Sequence, residues 1–178
     1  MKSTRVTFPN GTGSELSARL DLPADRRATQ FVLFAHCFTC SKDLGSVRNI
    51  SRALTSNGFG VLRFDFTGLG ESEGEFSETD FSSNVSDLYA AVSFMEKEYS
   101  APVLMIGHSL GGAAAIVASA SLAQVKAVTT IGAPGHIGHI RKLFSGDIEK
   151  IKETGSAQVN IGGRPFTISN SFLEDIEK

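Results

Sequence analysis

The chain is poor in the features that most quickly assign a protein to a class. It has only two cysteines, Cys37 and Cys40, and they sit too close together to staple a fold. No apolar run approaches the roughly 20 residues of a membrane span. The polar start, Met1-Lys2-Ser3-Thr4-Arg5, lacks the apolar core of a signal peptide. Neither sign of charge dominates: 17 Lys+Arg against 19 Asp+Glu leave a net charge of -2, and no basic residues cluster into a patch. That removes the electrostatic case for nucleic acid. There are no internal repeats and no low-complexity linker. What remains is an ordinary globular composition, 41% hydrophobic and 20% charged, in 178 residues, enough for one domain with a substantial core. The expectation is a cytosolic protein with no membrane span and no nucleic-acid partner.

What is present is an alternation of strand and helix patterns. Arg5–Phe8 and Leu16–Leu22 alternate apolar and polar residues around Asn10-Gly11, which predicts an antiparallel hairpin. Phe31–Ala35, Val61–Phe64, Val103–Ile106 and Ala127–Ile131 are short apolar runs of the kind found in parallel strands covered on both faces. Val47, Ile50 and Leu54 mark a helix ending at Asn57-Gly58. Phe81, Val85, Leu88, Val92 and Met95 mark another, with Ser82 or Ser83 as its cap. The sum is an α/β protein with a mostly parallel sheet and an antiparallel N-terminal hairpin. After Pro134 the pattern changes. Lys142–Thr154 reads as a charged amphipathic helix, Gln158–Ile161 and Pro165–Ile168 as a small hairpin about Gly162-Gly163, and 171–178 as the start of a further helix. The boundaries expected are a core over 1–134 and an appended region over 135–178.

Gly107-His108-Ser109-Leu110-Gly111 follows the apolar run 103–106 and opens the small-residue run 112–123. A G-x-S-x-G motif between strand and helix is a nucleophile elbow, in which a tight turn exposes and orients a serine hydroxyl. Ser109 is therefore the candidate nucleophile. Acyl transfer also needs N–H donors aimed at the developing oxyanion. Leu110 N–H, at the helix start, is one candidate. The second is expected from the loop after Ala35, His36-Cys37-Phe38-Thr39-Cys40-Ser41-Lys42-Asp43, with Phe38 preferred and Cys37 next.

Three strings, His36-Cys37-Phe38-Thr39, Asp65-Phe66-Thr67-Gly68-Leu69-Gly70-Glu71-Ser72 and Gly107-His108-Ser109-Leu110-Gly111-Gly112, occur in this order with strand–helix spacing. Together they resemble an α/β-hydrolase of the serine aminopeptidase/lysophospholipase-like branch. The cysteine in His-Cys-Phe is similar to the hydrolase half of hydrolase–OsmC fusion proteins. The resemblance covers most of residues 5–134, and the tail from 136 is similar to the start of that family's cap insertion. It implies a three-layer α/β/α sandwich around an eight-stranded sheet. It also implies hydrolysis of an ester, thioester or amide through an acyl-serine, a small-molecule acyl substrate, and no metal or organic cofactor. The family orders its triad serine, acid, histidine. Here the only histidines after Ser109 are His136 and His139, and every acid after Ser109 begins at Asp147. The expectation is thus a hydrolase fold lacking its last strands, with nucleophile and oxyanion hole present and base and acid absent. Strand 127–131 then becomes an apolar edge, open to self-association or to a complementing C-terminal segment.

Other readings compete for the same residues. His36 is either a general base or, as its place at a strand end favours, a loop-shaping hydrogen-bond former. Asp65 is expected to anchor the Gly68/Gly70 turn rather than to catalyse, and Cys37 and His108 to shape their loops. Gly68-x-Gly70-x-x-x-Gly74 misses the dinucleotide spacing, and Glu71, Glu73 and Glu75 would repel a pyrophosphate. His136 and His139 have no carboxylate or cysteine nearby in sequence and read as a surface helix start rather than metal ligands. Cys37-x-x-Cys40 is also a possible dithiol redox pair with His36 and Lys42 as cationic neighbours. A catalytically inactive binding module of the same fold is the remaining alternative.

Overall fold

Asn10 turns the chain back on itself. Its side-chain carbonyl accepts the N–H groups of Thr12 and Ser14, each at 2.9 Å. The left-handed residue of the turn is Gly13, at φ 92°, rather than Gly11. This joins β1 (Lys2–Pro9) to β2 (Glu15–Leu22) as an antiparallel hairpin in register from Lys2↔Leu22 to Pro9↔Glu15. The structure, a computed structural model, describes residues 1–25 and 27–177. After the hairpin come β3 (Gln30–Ala35), α1 (Gly45–Ser56), β4 (Phe59–Phe64), a 3-10 turn at Phe76–Glu78, α2 (Phe81–Glu98), β5 (Pro102–His108), α3 (Leu110–Ser119) and β6 (Ala127–Ile131). A 3-10 segment, Ile137–Asp147, leads to α4 (Ile148–Thr154), β7 (Ser156–Ile161), β8 (Arg164–Ser169) and α5 (Asn170–Asp175).

The main sheet runs β1-β2-β4-β3-β5-β6, antiparallel across the first two pairings and parallel thereafter, with β7-β8 as a separate hairpin. Strand periodicity divides its side chains between two layers. Val32, Phe34, Val61 and Ile106 pack with Val47 of α1 on one face. Leu33, Leu62, Phe64 and Met105 meet α2 and α3 on the other. The result is a three-layer α/β/α sandwich. β6 is the exception: four of its five residues are exposed, because no described element covers its outer side.

Two elements differ from the sequence reading. The cap of α2 is Asp80, whose carboxylate accepts Ser83 N–H at 2.7 Å while Ser83 Oγ accepts Asp80 N–H at 2.9 Å. Ser83 is thus the reciprocal partner in a capping box, not the cap. The single helix expected over 142–154 is instead a 3-10 segment and a short α-helix. The chain breaks at Phe144 (φ -141°, ψ 31°), which leaves the helical path as its ring enters the core.

Charged groups are buried where the sheet meets the loop after β3. Arg63 Nε donates to Asp21 at 2.7 Å, and its Nη1 donates to Asp43 and to the carbonyl of Lys42, both at 2.7 Å. Lys42 Nζ reaches Asp65 at 2.6 Å and Glu71 at 2.7 Å. For Lys42 and Asp43 burial works against the ion, yet the pairing wins. Desolvation would lower the Lys42 ammonium, but Asp65 and Glu71 hold it above its ordinary value. Desolvation would raise the Asp43 carboxyl, but the Arg63 hydrogen bond and the Lys42 charge hold it below. Because the folded pKa of Asp43 lies under its ordinary 3.8, its ion pair stabilises above that value and is lost as pH falls through the folded one. Urea unfolding midpoints are therefore expected to drop below about pH 4. Asp43→Asn should lower the neutral plateau and flatten that acid limb.

Candidate active site

Three adjacent parallel strands, β4, β3 and β5, end side by side and launch the three segments singled out in the sequence. β3 runs through α1 to β4 on one side, while β5 lies on its other side, so the strand order reverses beside β3. In open α/β sheets such a switch point opens a crevice at the carboxyl ends of the strands.

Ser109 sits there with φ 53° and ψ -123°, between the end of β5 and the start of α3. A non-glycine residue at positive φ is strained by about 1–3 kcal/mol and persists only where its surroundings enforce it. Its N–H donates to Ile131 O at 2.9 Å, tying the turn to β6. Glycine fills each neighbouring position that has no room for a side chain. A Cβ on Gly107 would lie 2.5 Å from Gly111 O, and one on Gly112 2.8 Å from the Cβ of Ala133. A Cβ on Gly111 would collide with His36 O and lie 2.8 Å from Ala35 O. The start of α3 is therefore pressed against the end of β3. Ser109 is half-buried, and Leu110, the first helical residue, has an N–H that no described group accepts.

The facing loop has its own backbone tension. Among the described residues, Thr39 is the other non-glycine residue at positive φ, 61°. Cys37 and Cys40 are joined by a disulfide across it. Cys40 N–H donates to Cys37 O at 3.1 Å, and His36 Nδ1 lies 2.8 Å from the same oxygen. A carbonyl only accepts, so Nδ1 carries the proton, and Nε2 is left to accept Phe66 N–H at 3.3 Å. Both ring nitrogens of His36 are engaged in a buried site, and burial, aided by the charge of Lys42, pushes its pKa down. His36 thus has no nitrogen free for Ser109. Since the peptide is trans, fixing Cys37 O turns Phe38 N–H the opposite way, and no described group accepts it.

Asp65 closes the loop from below. Its carboxylate accepts Lys42 N–H and Nζ, both at 2.6 Å, and Glu71 N–H at 3.0 Å, while Gly70 leaves room for it. His108 ends β5, half-buried opposite Ile131. His136 and His139 are exposed at the start of the 3-10 segment. Among the described residues no histidine or carboxylate reaches Ser109 Oγ. Several contacts escaped sequence reading. Phe38 stacks on Phe172 (5.3 Å) and meets Phe76 (5.6 Å), and Phe76 meets Phe166 (5.1 Å). The guanidinium of Arg164 donates to Thr39 O. No local signal could have found partners 125 residues apart.

Adding one methyl tests the close approach. Gly111→Ala is expected to cost about 1–3 kcal/mol in urea unfolding, the usual penalty of overpacking against rigid neighbours. Gly45→Ala, at a position with nothing within 4 Å, should be neutral or slightly stabilising.

Comparison with known proteins bears on the family and the fold. A family model described as serine aminopeptidase, S33, matches residues 27–145. Human monoglyceride lipase is 38% identical over 78 residues, 43% of this chain and 26% of the lipase. The crystal structure of the esterase domain from a Rhodothermus marinus protein is 48% identical and superposes with a TM-score of 0.75, covering 99% of this chain and 68% of that one. Mouse alpha/beta hydrolase domain-containing protein 10, at 19% identity and a TM-score of 0.76 over 98% of this chain and 69% of its own, shares the fold. The chain spans about a quarter of the human lipase it matches. By the family match and the esterase likeness together, it belongs to the serine aminopeptidase S33 family of α/β-hydrolases.

Proposed function

We propose that this chain carries the nucleophile and oxyanion side of a serine ester hydrolase. The observation that carries the reading is Ser109 at φ 53° on a strand-to-helix turn; the N–H groups of Leu110 and Phe38 both lack an acceptor among the described residues. In the reaction, Ser109 Oγ attacks the acyl carbon of a carboxylic ester or related acyl compound. The negative charge moves to the carbonyl oxygen, where the N–H groups of Leu110 and Phe38 hold it, each donor contributing about 3 kcal/mol in comparable sites. The alcohol leaves with a proton, and water then hydrolyses the acyl-serine. The rings of Phe38, Phe76, Phe166 and Phe172 form a contiguous aromatic cluster on the loop that carries the second donor, which favours a hydrophobic acyl group. The names of the monoglyceride lipase and esterase relatives agree with ester chemistry.

The reaction needs a histidine base oriented by a carboxylate, and none of the described residues brings one to Ser109. One observation favours a second reading, an inactive acyl-binding module: no described base reaches Ser109.

A 4-nitrophenyl phosphonate separates the two. The chain alone is expected to be labelled slowly at Ser109, and Ser109→Ala not at all. Supplying the remaining part of the Rhodothermus marinus esterase domain should accelerate labelling about 10²–10⁴-fold, the usual contribution of a general base. Label on another residue, or no acceleration together with saturable binding of an acyl ligand, would establish the inactive module. The uncovered β6 also predicts self-association of the chain alone, visible as a scattering mass that rises with concentration; a monodisperse monomer at high concentration refutes it.

A further inference from the structure

The Cys37–Cys40 disulfide encloses the residue whose N–H is the proposed second oxyanion donor. We infer that this disulfide is a redox-sensitive positioning element for the oxyanion hole, so that reducing it weakens transition-state stabilisation without unfolding the domain. The inference rests on the reading of Ser109 and Phe38 given above.

The peptide plane between Cys37 and Phe38 is fixed through its oxygen. Its oxygen is held by His36 Nδ1 at 2.8 Å and by Cys40 N–H at 3.1 Å, and its N–H points the other way. The Cys40 hydrogen bond survives only while the chain doubles back through Thr39, at φ 61°, a conformation that side chains resist. The two sulfurs close that reversal covalently, immediately on either side of Phe38 and Thr39. With the bond open, Thr39 loses its covalent closure and is held against relaxation toward negative φ only by the Arg164 hydrogen bond to its carbonyl and the stack of Phe38 on Phe172. Cys40 N–H then moves away from Cys37 O, and the peptide keeps only the His36 hydrogen bond. The flanks of the loop are secured independently, by Lys42 N–H on Asp65 at 2.6 Å on one side and the β3 ladder on the other. Loosening is thereby confined to the residues that carry the donor.

The chemistry is accessible. Cys40 is half-buried whereas Cys37 is buried, so an incoming thiolate meets the sulfur of Cys40 first. A dithiol reductant bonds to Cys40 Sγ and expels Cys37 as thiolate, which takes up a proton. The second thiol of the reductant then closes on the first, releasing Cys40 as thiol. Two electrons pass from the dithiol to the protein, leaving two cysteine thiols and one cyclic disulfide.

Phosphonylation of Ser109 by the 4-nitrophenyl phosphonate reads the hole directly, because the reagent also develops an anionic oxygen. Three samples are compared: the oxidised chain, the chain reduced with dithiothreitol, and the doubly substituted Cys37→Ser/Cys40→Ser chain. Reduction is expected to lower the maximal labelling rate at least about tenfold, toward the roughly hundredfold loss seen when one donor is removed. The dissociation constant of the reagent should stay the same, and reoxidation should restore the rate. The serine variant should label at the reduced rate and ignore dithiothreitol. Amide NMR supplies the second readout: Phe38 and Thr39 signals move on reduction and Cys40 N–H exchanges faster, while β1 and β2 signals stay put. Equal rates in oxidised and reduced chains, loop signals that do not move, or two free thiols after mild oxidation each overturn the inference. A Ser109 unlabelled in every sample, with loop signals that do move, overturns the hydrolase reading instead and leaves the disulfide as what sets the Cys37–Phe38 peptide.

Discussion

The close approach of the α3 start to the end of β3 is the constraint on which the site depends. Gly111 lies so near the carbonyls of Ala35 and His36 that no side chain fits between them. This brings the start of α3 against the loop after β3, segments some seventy residues apart in the chain, with Ser109 at positive φ in the turn between. Rigid backbone groups suit electrostatic stabilisation because they need not reorganise as charge develops. The fold supplies the rigidity through three adjacent parallel strands, whose ladders fix how far each loop can stray.

Holding the facing loop takes a different kind of interaction. Lys42 and Asp65 are both fully buried, and a buried ion pair is weak support for stability, since desolvation offsets most of the Coulombic gain. Removing one partner alone nevertheless strands a charge, typically at about 3–5 kcal/mol. Lys42 contributes both its N–H and its Nζ to Asp65, and its carbonyl to Arg63, so the chain has one path past that point. Fixing residue 42 in this way limits where residues 37–40 can go.

What was legible in the sequence follows the range of the interaction that determines it. The elbow could be read because a strand, five motif residues and a helix carry all the information it needs. The sheet strands could be read because burial on two faces writes itself as unbroken apolar runs. The α2 cap was misplaced because Asp80 and Ser83 cap reciprocally, and sequence alone gives either residue a claim. The kink at Phe144 was missed because it is set by where a ring must go, not by local propensity. The Lys42–Asp65 pair, the Arg164–Thr39 contact and the Phe38–Phe172 stack are long-range, and no spacing rule reaches them.

Those long-range contacts also bear on how the two sides of the site are built. Phe172, Ile151 and Phe144 share one apolar cluster with Leu33, Leu88 and Leu110, so the tail packs into the core rather than beside it. Asp175 takes both the N–H and the hydroxyl of Ser82, at 2.7 and 2.9 Å, supplementing the cap of α2. Through Phe172 and Arg164 the same tail grips Phe38 and Thr39. The geometry of the candidate oxyanion loop is thus set on three sides: by the β3 ladder, by the Lys42–Asp65 pair and by the tail. None of these involves a histidine or carboxylate directed at Ser109. Transition-state charge stabilisation and proton transfer are physically separable contributions, and the loop proposed to serve the first is held by contacts that do not depend on a base at Ser109.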